Sequence, residues 1–155
     1  MRERAAEALG MLAGVKDATG FVFDRMKRVG FRRLSKPQKV YYCVWLLNAE
    51  VRNGGFAQYF VNPSGNLAHL SLKALRVLGA THAEQTLARA MDIFGASGPS
   101  RNQDERHEQL AVLYDQNKSH LSALDDAFSE DLDNLAVRLK DFARRYKKHF
   151  GARRR

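Results

Sequence analysis

The chain has 155 residues, 45% hydrophobic and 28% charged, enough for one real core and a balance that excludes general disorder. Its 26 Lys and Arg against 17 Asp and Glu give a net charge of +9. The excess sits at the ends, with +6 over residues 1–40, −5 over 41–137 and +8 over 138–155. A lone cysteine, Cys43, excludes an intramolecular disulfide and points to a reducing compartment.

No run approaches the ~18 apolar residues that a membrane span needs. Ala8–Val15 is apolar but short and carries Gly10 and Gly14, so it does not read as a signal peptide. A cytoplasmic location is expected. Phe21, Val22, Met26 and Val29 suit a helix ending near Gly30. Residues 1–30 are expected to form a helical extension to a domain over 31–150, with 151–155 a basic tail whose Arg153-Arg154-Arg155 should fray.

Ser35-Lys36-Pro37-Gln38 fits a capping box, in which the hydroxyl and the third-residue side chain satisfy free backbone N–H groups reciprocally. From there to Asn53 is room for about five helical turns. Val40, Val44, Leu47 and Val51 share one face, and Tyr41, Tyr42 and Trp45 make most other sides apolar as well. Such a helix belongs at the centre of a domain.

It runs into Asn53-Gly54-Gly55, restarts as Phe56-Ala57-Gln58-Tyr59-Phe60 and stops at Asn62-Pro63-Ser64-Gly65. A stripe of Leu67, Leu70, Ala74 and Leu78 follows, then one of Leu87, Ala90, Met91 and Phe94. Thr81-His82-Ala83-Glu84 and Ser100-Arg101-Asn102-Gln103 repeat the capping-box pattern. Leu110, Leu113 and Tyr114 mark another helix, Leu121, Leu124 and Phe128 a short one, and Leu135, Leu139, Phe142 and Tyr146 line the last, with Ser129 as its expected cap. Gly79, Gly95 and Gly151 are placed as C-caps, and Gly95–Pro99 as the mobile loop. The expected fold is all-α, one bundle of about seven or eight helices around the Ser35–Arg52 helix.

Glu-Val-x-Asn-Gly-Gly-Phe-x-Gln-Tyr-Phe over residues 50–60, followed by an Asn-x-Ser-Gly loop, resembles the DNA-mimic-protein type of small bacterial all-helical domain. The match is dense over Tyr41–Gly65 and looser through Leu75–Gly79, Ala90–Phe94 and Leu124–Phe128. The resemblance implies a compact helical fold acting through protein contacts. It does not carry DNA mimicry across, because mimicry needs carboxylates spaced like phosphates and this chain is strongly basic.

Glu50, Asn53, Gly54, Gly55, Gln58, Asn62 and Ser64 form the first candidate site. Glu50 lies one turn before Asn53, and Gln58 one turn before Asn62, so their polar groups should converge at the glycine pair. On one reading Glu50 or Asn53 caps the restarted helix and Gln58 ties down the following loop. On the other, free N–H groups at the restart line a polar pocket that holds an anion. The capping reading is preferred. Phe56, Tyr59 and Phe60 read as core rather than as a recognition surface.

The second candidate is the terminal helix, where Arg138, Lys140, Arg144, Arg145, Lys147 and Lys148 border the apolar stripe. Such a face neutralises phosphates without reading sequence, or meets an acidic protein. Its plain alternative is a solvated surface. Asp125-Asp126 with Glu130, Asp131 and Asp133 reads as either an acidic patch or, by preference, electrostatics at a helix N-terminus. His69, His82, His107, His120 and His149 never reach metal-ligand spacing, and no nucleophile or phosphate-loop motif occurs. No cofactor and no metal are expected. The leading expectation is a non-enzymatic binding or regulatory protein with an unidentified protein partner. A nucleic-acid-associated protein using its basic ends is the alternative. An enzyme or small-ligand binder using the hinge comes third, and no membrane association is expected.

Overall fold

Ser35 opens the central helix as its sequence requires. Its Oγ accepts the Gln38 N–H at 3.4 Å while Gln38 Oε1 accepts the Ser35 N–H at 2.9 Å, so two otherwise unsatisfied donors are capped reciprocally. The computed structural model describes residues 16–151. The Ala8–Val15 stretch and the Arg153–Arg155 tail lie outside them. The described residues form six α-helices with three 3₁₀ turns and no strand: α1 (Lys16–Val29), α2 (Lys36–Val61), α3 (Ala68–Leu78), α4 (Thr81–Asp92), α5 (Gln103–Ser129) and α6 (Leu135–Arg145).

Helices α1, α3, α5 and α6 all pack against α2. Its buried face is Tyr41, Val44, Leu47 and Val51, with Cys43 beside it. Tyr41 takes the place expected of Val40, which is only half-buried. α1 docks through Ala18 and Val22, the Thr19–Tyr41 hydroxyl contact at 2.7 Å, and Phe23 against Tyr42 and Trp45. Phe150 closes on Tyr41 from the C-terminal end.

The count is lower than seven or eight because Leu110–Tyr114 and Leu121–Phe128 lie on one helix. Residues 115–120, Asp-Gln-Asn-Lys-Ser-His, contain no breaker and stay helical, mostly exposed. Three expected caps also move. Asn102, not Ser100, caps α5 by accepting the Glu105 N–H at 3.0 Å. Ser129 ends α5 by bonding the Asp125 carbonyl, and Asn134 caps α6. Thr81 lies inside α4, where the acceptor for the Ala83 N–H is Asp133 at 2.7 Å.

Gly79 does end α3, with φ 73° and ψ 21°. This left-handed conformation costs a residue without Cβ nothing, and it lets the Ala80 N–H reach the Leu75 carbonyl at 3.0 Å. The α3 stripe is rotated from expectation. Ala68, Ser71, Ala74, Leu75 and Leu78 are buried, whereas Leu70 is 43% exposed. Small residues let α3 approach α2 closely, and that turns Leu70 outward.

Candidate functional site

The corner at Gly54-Gly55 is real. Gly54 (φ −150°, ψ 17°) and Gly55 (φ 77°, ψ −178°) leave helical geometry inside α2, and residues 56–61 restart it in a new direction. Gly55 occupies backbone space open essentially to glycine alone. A Cβ there would overlap the Asp125 carboxylate.

That carboxylate decides between the two readings of the hinge. Asp125 Oδ1 accepts the Phe56 N–H at 2.8 Å, so the anion at the restarted helix is supplied from α5 of the same chain. Neither Glu50 nor Asn53 caps the restart, which corrects the expectation for those two residues. Burial raises the Asp125 pKa, the Phe56 N–H opposes the rise and the neighbouring Asp126 charge adds to it.

Glu50, Gln58 and Asn62 do converge. Glu50 Oε2 accepts from Gln58 Nε2 at 2.8 Å and from Asn62 Nδ2 at 2.9 Å, joining the two arms of α2 to the loop. Ser64 turns inward and donates to the Tyr59 carbonyl at 3.2 Å. Asn53 is exposed and stands apart. Phe56, Tyr59 and Phe60 are core, at most 1% exposed.

Beneath the loop lies a residue that pattern reading missed. Arg106 is fully buried and donates to the Phe60, Asn62 and Ser100 carbonyls and to Asn66 Oδ1 at 2.5–3.0 Å. Among the described residues no carboxylate pairs with it. Its charge is balanced instead by the negative end of the restarted helix, whose last carbonyls it satisfies. Burial lowers its pKa and the Tyr59 side chain opposes the shift, but a guanidinium keeps its proton in proteins. Gly65 makes room for it, since a Cβ there would sit 2.6 Å from Arg106 Nε. The available signal was spacing: Arg106 lies one turn before Leu110, on the same face.

Three of the five carboxylates in the acidic cluster serve helix starts, while Asp126 and Glu130 are exposed. Asp125 serves Phe56, Asp133 serves Ala83 and Asp131 serves the Leu135 N–H at 2.9 Å. Asp131 also pairs with Arg52 at 3.3 Å. The helix-electrostatics reading holds, but for three helical segments rather than one.

The basic terminal residues divide. Arg138 Nε donates to the Asp133 carbonyl at 2.8 Å, and its Nη1 lies 3.4 Å from the Leu78 carbonyl, closing α3. Arg144 faces Asp141 at 3.8 Å. Lys140 is half-buried, while Arg145, Lys147 and Lys148 are exposed.

Two hollows remain. One, about 520 Å³, lies between the restarted helix and α5 against Ala57, Val61, His107 and Tyr114. The larger, about 890 Å³, runs between α2, α3 and the end of α6. Its floor is Cys43, Ala74 and Phe142, all buried, and Leu70, Val77 and Tyr146 stand exposed along it. Every charged side chain lining it is a lysine: Lys36, Lys39 and Lys73. Lys39 Nζ lies 5.6 Å over the Phe31 ring, which holds that charge at the rim. Burial pushes the Cys43 thiol up to about 12, with Ser71 and Lys39 opposing, so its sulfur lines the groove as an apolar atom.

A family model described as DMP19-like protein matches residues 32–146, most of the chain and all of α2–α6. No curated protein and no solved structure matches.

Proposed function

The chain belongs to the DMP19-like family, and we propose that it is a non-enzymatic binding or regulatory protein that acts through protein–protein contacts. The observation that carries this reading is the groove between α2, α3 and α6. There Val77, 62% exposed, and Leu70, 43% exposed, stand beside buried Ala74 and Phe142, with lysines as the groove's charged lining. Exposed apolar side chains gathered in a rimmed groove mark an interaction site.

DNA mimicry is disfavoured on two grounds. Three of the clustered carboxylates, Asp125, Asp131 and Asp133, bond helix N-termini, and the groove's own charges are positive. The hinge supports a structural role. Glu50 holds two amides, and the anion position at Phe56 is taken by Asp125.

Affinity capture from the native host with the wild type and with Val77→Asp, each at two ionic strengths, tests the proposal. A protein recovered by the wild type and lost with Val77→Asp supports it. Recovery of nucleic acid alone, weakening steeply with salt, favours the basic-ends alternative. Turnover of a metabolite that is lost on Glu50→Gln with the fold intact overturns the non-enzymatic reading.

A further inference from the structure

The groove's dimensions and charges specify its partner more closely. Resting on the protein-contact reading above, we infer that the groove takes a short amphipathic helix whose apolar stripe is flanked by carboxylates.

Length comes first. Leu70, Lys73, Ala74 and Val77 form one face of α3 at spacings of three and four, about two turns or ~10 Å long. Lys36, Lys39, Val40 and Cys43 repeat that spacing on α2. Two helix faces of this length make a trough for a third helix, read through side chains at i, i+3 or i+4, and i+7.

Charge comes second. Lys36 and Lys39 lie on one wall and Lys73 on the other, so the occupant needs acid on both margins of its stripe. Tyr146, in the groove, leads directly into exposed Lys147 and Lys148, which extends the positive field past one end. Such a field steers an acidic partner and repels a basic one.

Nucleic acid answers the lysines but not the walls. Phosphate and sugar gain little from exposed Leu70 and Val77, and protein–nucleic acid interfaces are markedly polar. An acidic amphipathic helix answers both.

The experiment uses the full chain and a labelled 15-residue peptide with leucines at positions 4, 8 and 11 and glutamates on both flanks, read by fluorescence anisotropy. Binding is expected to weaken at least about 10-fold with Val77→Asp and with the Lys36→Glu/Lys73→Glu pair, and to vanish when the leucines become alanine. Lys36 and Lys73 are exposed, and a glutamate in the first turn of α2 suits the helix dipole, so the double variant keeps its fold. A peptide with lysine for glutamate should bind the double variant and not the wild type. That exchange cannot arise from unfolding.

Equal binding of the first peptide by wild type and Val77→Asp overturns the inference. So does a 20-base-pair duplex held through the same lysines but indifferent to Val77→Asp, or self-association in sedimentation equilibrium that Val77→Asp abolishes. If Val77→Asp removes a captured protein while the charge exchange has no effect, the acidic helix is wrong and the protein-contact reading stands.

Discussion

The Asp125 carboxylate accepts the Phe56 backbone N–H at 2.8 Å, across a sequence separation of 69 residues. It thereby ties the restarted arm of the domain's central helix to the far end of α5. That bond and the Phe56–Phe128 ring contact join α5 to the restarted arm of α2.

Gly55→Ala is expected to destabilise the fold by about 2 kcal/mol or more, because φ 77° and ψ −178° strain any residue with a Cβ and the methyl displaces Asp125. Gly54→Ala should cost about 1 kcal/mol, since its φ of −150° is ordinary and its Cβ displaces the Gln58 amide from Glu50. Urea unfolding measures both. Adding Asp125→Ala to Gly55→Ala should cost less than the two separately, because the clash is then gone.

The pH dependence of Asp125 follows from burial. Its folded-state pKa is raised, so the native state binds the proton more tightly than the unfolded state. Stability from this group is therefore present in full below the unfolded carboxylate pKa and is lost as pH rises through the raised value. Asp125→Asn keeps an acceptor for Phe56 and removes the titration. Relative to that variant, the wild type should gain stability as the pH falls through this window; a difference independent of pH rules the account out.

Arg106→Met is expected to cost about 3–5 kcal/mol, as it leaves several inward-facing carbonyls without a donor. Arg106→Lys should be nearly as damaging, because one ammonium cannot reach acceptors arranged around a planar fork. Hydrogen exchange should show the loss first at the residue 62–67 turn, where Asn62 and Asn66 are held.

At α4 the capping group is identifiable by comparison. Asp133→Ala should cost about 1 kcal/mol, whereas Thr81→Ala should lie within about 0.5 kcal/mol of wild type. Thermal unfolding of the two variants decides whether the cap comes from the neighbouring hydroxyl or from a carboxylate 50 residues away.

Local chemistry alone determined the helical class, the corner and some of the caps. Ser35 with Gln38, Gly54-Gly55, Pro63 and Gly79 act on their own backbone neighbours, within a turn or so of chain, and the structure places each where its sequence context does. The convergence of Glu50, Gln58 and Asn62 was legible for the same reason, being set by helical spacing on either side of one corner.

Tertiary packing decided everything that depends on a group from elsewhere. Thr81 lost its cap to Asp133, and the restarted helix drew its anion from Asp125. Arg106 was buried because four acceptors surround it, three from residues 60–66 and one from Ser100, and Leu70 was turned out because Ala68, Ser71 and Ala74 fit α2 more closely. The same closeness leaves Leu70 and Val77 beside Lys36, Lys39 and Lys73, on helices joined only through the corner and the turn that follows it. Periodicity reports which face of one helix is apolar; only the packed helices set which of those faces remain uncovered and what charge surrounds them.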